Sequence, residues 1–245
     1  MNKQNNPLKK LMLLISALLA IALLVSSAML LLEVNVFEIL RRGATLEEPR
    51  TEEEQRLIDL VPPTIDYTLR RRATPYQIEL FEILIEDHNR FSETRTNETL
   101  MNYAESIVRN FVADFFTFSN KSSRTDIGGL QFLATEITDS FNEFALNTFY
   151  LYLNQYISLF GNESLPRVES TTILSSGHGQ HGLSLDEWPW TEYIEVIIID
   201  IEWAYAFTTL PYIDDFQTSA RFILLEENSS IRIHAILPLP VTNQY

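Results

Sequence analysis

The sequence predicts an α+β domain carried on one membrane-spanning helix, and three observations support that reading. An uncharged apolar run opens the chain, apolar residues then recur at helical spacing, and after Pro166 the repeat shortens from about 3.6 residues to about 2. Together they predict about three helices packed on a curved four-stranded antiparallel sheet. The 245 residues suffice for one domain of ordinary size plus appendages. With 46% apolar and 11% aromatic residues, the chain can build a core and lacks the composition of a disordered acidic segment.

Residues 11–32 read LMLLISALLAIALLVSSAMLLL, 22 residues without a charge. At a rise of about 1.5 Å per residue the run from Leu11 to Leu32 covers roughly 33 Å, enough to cross a hydrocarbon core of about 30 Å. Lys3, Lys9 and Lys10 precede it, and Glu33 and Glu38 are the first charges after it. The positive-inside rule therefore makes residues 1–10 a cytoplasmic tail and places everything after the span outside the cytoplasm, in a single-pass cell-membrane protein. A cleaved signal peptide, with Ser26 and Ala28 before the cut, is the alternative. The apolar run continues past that point through Met29, Leu30, Leu31 and Leu32, which favours retention.

Residues 33–75 form a charged stretch interrupted by Gly43, Pro49, Pro62, Pro63 and Pro75, and read as a stalk. Thr51 and Glu54 match a capping box that would open a short helix over 52–60. Arg70, Arg71 and Arg72 read as a solvated or acid-paired surface feature. The exposed domain is expected over 76–245. There Tyr76, Leu80, Ile83, Leu84 and Phe91 fall on one helical stripe, and Leu100, Tyr103, Ala104, Ile107, Val108, Phe111, Val112 and Phe115 on a second. Thr96 or Asn97 can cap the second helix, and the polar run 119–123 ends it. A third, long helix is expected from Leu130 to Leu159, stopped by Gly161 and Asn162.

Strands are expected over 168–174, 193–208, 216–225 and 231–237. In the second, Ile197, Ile199, Ile201, Trp203, Tyr205 and Phe207 share one face, and Asp200, Glu202, Ala204 and Ala206 the other. Between the first two strands SSGHGQHGLSLDEWPW reads as a long loop.

The segments IVRNFVADFFTFSNKSS (107–123) and GGLQFLATEI (128–137), followed by the strands at 195–207, 219–226 and 231–238, resemble the membrane-anchored NTF2-like domains of the VirB8/TcpC type. The resemblance spans roughly residues 97–240 and rests on the order of elements. It implies a cone-shaped NTF2-like fold, a non-enzymatic structural part in a conjugation or type IV secretion channel, and other envelope proteins as partners. It also allows a homo-oligomer, and it brings no catalytic residues.

Chemistry is sparse in this sequence. With no cysteine there is no disulfide framework and no thiolate metal site, and seven glycines in 245 residues supply no phosphate-binding loop. Neither a catalytic residue nor a cofactor is expected. A net charge of -15 argues against nucleic acid as a partner. Residues 126–245 hold 16 acidic residues, three arginines and no lysine, so the distal half is strongly anionic. Phe141 and Tyr152 on the third helix, with Trp203, Asp200 and Glu202 on the second strand, are the candidate pocket residues of a groove between helix and sheet. Asp200 and Glu202 are also the carboxylates that an acid–base reaction would use. His178 and His181, with Asp186 or Glu187, have the residue types of a metal site, but a polar loop does not preorganise them, so no metal is expected. His88 and His234 read as surface residues. The sequons at Asn97, Asn120, Asn162 and Asn228 are assigned no role.

Overall fold

Thr74 starts the first helix. Its hydroxyl accepts the Gln77 N–H at 3.2 Å while Gln77 Oε1 accepts the Thr74 N–H at 2.8 Å, and Pro75 fills the first position, where no donor is needed. This helix, α1, is Pro75–Glu93 in the computed structural model, which describes residues 67–184, 191–208, 210, 213–227 and 230–239. The cytoplasmic tail, the Leu11–Leu32 span, the stalk to residue 66 with its short helix over 52–60, and the Asp186/Glu187 part of the expected loop lie outside the described residues. Among the described residues no helix is long and apolar enough to cross a membrane.

Helix α1 buries Leu80, Phe81, Leu84, Ile85 and Phe91, so its inward stripe is rotated from the one expected: Ile83 is exposed and Tyr76 only half-buried. His88 is buried, not a surface residue, and meets the Tyr103 ring edge-on at 5.4 Å. Helix α2, Asn97–Phe115, is capped by Thr96, whose side chain accepts the Thr99 N–H in a second capping box. Its stripe from Tyr103 to Phe115 is buried as the sequence pattern predicts, since a 3.6-residue repeat without a gap leaves one way to turn the helix.

The expected third helix is two. A short 3₁₀ turn, Leu130–Phe132, gives way to extended Leu133 and Ala134, where Ala134 N–H donates to Ile233 O of the sheet at 2.9 Å. Helix α3 then runs Thr135–Asn147 and helix α4 Leu153–Phe160. Thr148 breaks them apart. Its backbone leaves helical geometry (φ -126°, ψ -85°), and its hydroxyl donates back to Phe144 O at 2.7 Å, the competition with helix that Thr offers. Tyr150 fixes the break by burying its ring and donating its hydroxyl to Phe115 O at 2.6 Å.

Four strands follow: β1 Val168–Ser184, β2 Thr191–Tyr205, β3 Ser219–Glu227 and β4 Ser230–Leu237, an antiparallel meander in the order β1-β2-β3-β4. The α+β architecture and the four antiparallel strands are therefore as the change of period predicts. Residues 175–184 of the expected Gly/Ser/His loop are strand, paired from Ser175↔Asp200 to Ser184↔Thr191. Glycine is a poor strand former, but a Cβ on Gly179 would lie 2.3 Å from Ile198 Cδ1, so the missing side chain is what lets the β2 isoleucine lie across β1. Register shifts at Val168/Ser170, Ile173/Ser175 and Ile223/Leu224 bend the ladder where the extra residues fall.

The helices cover one face of this sheet. Ile197, Ile199, Ile201 and Trp203 of β2, Phe222 and Leu224 of β3, and Ile231 and Ile233 of β4 share one core with Phe111, Phe115 and Phe116. Phe207, expected on that face, lies past the end of β2 and is 95% exposed. Tyr67 and Leu69, within the expected stalk, are buried in this core, and the Tyr67 hydroxyl donates to Ile231 O at 3.0 Å.

Candidate functional site

A cleft of about 470 Å³ opens between the α3–α4 junction and the connection from β2 to β3. Its first wall is Thr148, Phe149, Tyr152 and Tyr156; its second is Leu210, Asp215, Phe216 and Gln217; Phe118 lies between them. The break at Thr148 produces the first wall: with Tyr150 drawn into the core, neighbouring Phe149 stays half-buried and Tyr152 turns outward, 53% exposed. The second wall is tied down by main-chain bonds, Trp203 N–H to Thr218 O at 2.8 Å and Phe216 N–H to Ile213 O at 3.1 Å, and by the Tyr205 hydroxyl donating to Gln217 O at 2.9 Å. The floor is aromatic, with Phe118 against Tyr150 at 5.3 Å and Phe216 at 5.9 Å. Beside the cleft, Phe144, Leu151, Leu159 and Phe160 add to the exposed apolar surface of Tyr152 and Tyr156.

Of the five residues singled out in the sequence, Tyr152 alone lines this cleft. Phe141, half-buried, packs against the core at the Phe111 and Phe115 rings, 5.9 and 5.2 Å away, and Trp203, buried in it, lies over Phe116 at 4.4 Å. Asp200 and Glu202 are on the other face of β2, as their alternation with Ile199, Ile201 and Trp203 requires. Asp200 accepts both Arg221 nitrogens, Nε at 2.7 Å and Nη2 at 2.8 Å, and the Ser175 hydroxyl at 3.1 Å. Hydrogen bonds from Arg221 hold its carboxyl below the usual carboxylate range, so it stays ionised where a general acid would have to keep a proton. The residues that form the cleft are not legible together in the sequence, because they converge from three segments: residue 118 after α2, residues 148–156, and residues 210–217 beyond the first strand pair.

A buried charge cluster was also missed. Lys121, read as part of a polar run, is fully buried and donates to Asp114 O at 2.5 Å and Asp114 Oδ1 at 3.2 Å. Arg70 donates to both Asp114 and Asp126, and Gly129 N–H to Asp114 Oδ2 at 2.7 Å. Burial alone would raise the Asp114 carboxyl, but the charges of Lys121 and Arg70 and the Gly129 N–H hold it at about 2. Burial pushes the Lys121 ammonium down to about 8 against the pull of Asp114, which leaves it charged at neutral pH. Lys121 is enclosed while Arg70, Asp114 and Asp126 keep part of their side chains at the surface, and the bonds tie Arg70 to the end of α2.

The two strand histidines are not a chelating pair. Three residues apart on β1, His178 and His181 fall on opposite faces, and the His178 ring bonds Asn97 Oδ1. Among the described residues no group of three metal-ligating side chains occurs. Replacing His178 by Ala is expected to cost under about 0.5 kcal/mol, as for an exposed position, and a chelator should leave the melting temperature unchanged. A chelator-induced drop in a calorimetric scan would make the β1–β2 end a metal site.

No protein-family model, no curated protein and no solved structure matches this chain.

Proposed function

We propose that the chain is a non-enzymatic, single-pass membrane protein whose extracytoplasmic domain docks partner proteins in an envelope assembly of the conjugation or secretion kind. The observation that carries the reading is the exposed apolar surface of Phe144, Leu151, Tyr152, Tyr156, Leu159 and Phe160, since a soluble face seldom leaves so many large apolar side chains uncovered together. Support for the tether comes from the uncharged run between Leu11 and Leu32 behind Lys3, Lys9 and Lys10. The resemblance to VirB8/TcpC-type NTF2-like domains supports the kind of assembly, and the α+β order of the elements is compatible with it.

A photoreactive amino acid at Leu159, in the full chain expressed in its own cells, should give discrete cross-linked products, while one at exposed Glu169 on β1 should not. Equal patterns at the two positions would end the docking reading. Protease added to the same cells should remove residues 76–245 and spare the N-terminal tail; protection of the domain would reverse the orientation. A second reading, a binding module for a small ligand, is favoured by the cleft itself, whose volume of about 470 Å³ falls in the range of roughly 300–1,000 Å³ usual for ligand sites.

A further inference from the structure

The geometry points to a site for a free organic cation, a quaternary ammonium compound, in the cleft between Tyr152/Tyr156 and Asp215/Phe216. This inference deepens the small-ligand reading of the cleft and does not depend on the docking one.

Two features of the lining select the charge. Five of the nine described residues that line it are aromatic, namely Phe118, Phe149, Tyr152, Tyr156 and Phe216. An aromatic ring presents the negative part of its quadrupole on its face, so rings on both walls and the floor favour a positive guest. Among the described residues of the lining Asp215 is the one charged side chain, and no Lys or Arg is among them. An anion would meet that carboxylate with no counter-charge, and a neutral apolar ligand would gain nothing from it where a cation does. The wider field has the same sign, because residues 126–245 carry 16 acidic residues against three arginines, and such a field concentrates cations at its clefts.

The same lining selects the kind of cation. A primary ammonium brings three N–H donors and a tightly held hydration shell that needs as many acceptors to replace it. Among the described lining residues Asp215 is the one ionised acceptor, Gln217, Thr148 and the tyrosine hydroxyls offer neutral ones spread over both walls, and the remaining surface is ring and Leu210. A quaternary ammonium has no N–H to satisfy and is weakly hydrated, so rings plus a single carboxylate at the rim are the environment it needs. The cleft has room for a whole small molecule larger than choline, so the occupant is assigned as a free compound that carries this head group, and choline serves as the probe of that head.

The test uses the full chain in a maltoside detergent, free of phosphocholine, with radiolabelled choline in equilibrium dialysis. Choline should bind saturably, and its uncharged isostere 3,3-dimethylbutanol should compete about fivefold to thirtyfold more weakly, the factor a ring-held positive charge supplies. Tyr152→Ala and Tyr156→Ala should each weaken choline by about fivefold or more with an unchanged melting temperature, because both rings are over a third exposed. Asp215→Asn should weaken it less and reduce its dependence on salt. Equal competition by the isostere would overturn the cation assignment while leaving a small-ligand site. Absence of binding by choline and isostere alike would overturn both. A trimethyl-lysine peptide or a short-chain phosphocholine lipid that displaces choline about tenfold more effectively than choline itself would overturn the free-compound assignment.

Discussion

Asp114→Ala should destabilise the domain by about 3–5 kcal/mol, the cost of removing one partner from a buried ion pair and leaving the other charged and alone. The reason is specific to this cluster. Lys121 has no exposed side-chain surface, and without the carboxylate its ammonium would face Arg70 with nothing between them, while the Gly129 N–H would lose its acceptor. Asp114→Asn keeps the shape and one acceptor oxygen but not the charge, and should cost nearly as much. Lys121→Met should cost far less, within about 1 kcal/mol, since Asp114 keeps Arg70 and Gly129 and no buried ammonium remains. Urea unfolding of a fragment beginning at Arg50 measures all three, and a Lys121→Met cost equal to that of Asp114→Ala would show that packing and not charge decides the site. Acid gives an independent check. The Asp114 carboxyl sits at about 2 in the fold against an ordinary 3.8, so the folded state binds fewer protons than the unfolded one in that interval. Its stabilisation is complete above about pH 3.8 and is lost as the pH falls through about 2, and the gap in stability between wild type and Asp114→Asn should narrow over that window.

That cluster also marks the limit of what the sequence discloses. Periodicity identified the buried stripe of α2 and the inward face of β2 from Ile197 to Trp203, because each is a single element whose neighbours cover one side. It misplaced α1 by part of a turn, since Gln77, Asp87 and His88 are polar residues on the buried side and Ile83 an apolar one outside. Lys121 gave no signal at all, and Arg70, read as solvated or acid-paired, could not be assigned its acids: the partners are 7 and 44 residues away, and pattern reasoning cannot pair them. The strand half of the Gly/Ser/His segment was hidden for the opposite reason. Its own propensity is poor, and its extended form is imposed by the long apolar β2 beside it, the tertiary context overriding local preference. For the cleft, the aromatic residues were visible but not the break at Thr148, which a long apolar repeat conceals. A continuous helix from Leu130 to Leu159 would have kept Tyr150 and Tyr152 on one rod, whereas the break sends the first inward and the second out.

Phe111→Ala is the other substitution expected to be severe, at about 3–5 kcal/mol, the range for deleting a fully buried phenylalanine. The ring is completely enclosed. It stacks on Phe115 at 5.4 Å, meets Phe141 and Phe222 edge-on at 5.9 and 5.5 Å, and is backed by Gly129, where a Cβ would come within 2.8 Å of the ring. Gly129 also sits at φ +78°, so no larger residue can lean in to fill the space that an alanine would leave. Phe111→Leu, which restores most of the volume, should cost roughly 1.5 kcal/mol, and Leu159→Ala on the exposed face of α4 under about 0.5 kcal/mol. The effect should also reach the cleft. Phe115, stacked on Phe111, is in ring contact with Phe149 at 5.3 Å and Tyr150 at 5.4 Å, and these two hold the first wall in place. Phe111→Ala should therefore speed amide hydrogen exchange over residues 148–152 more than over β1, where the ladder is held by β2. Uniform acceleration across both segments would mean that the core fails as one unit and that the ring chain from Phe111 to Phe149 does not single out the wall.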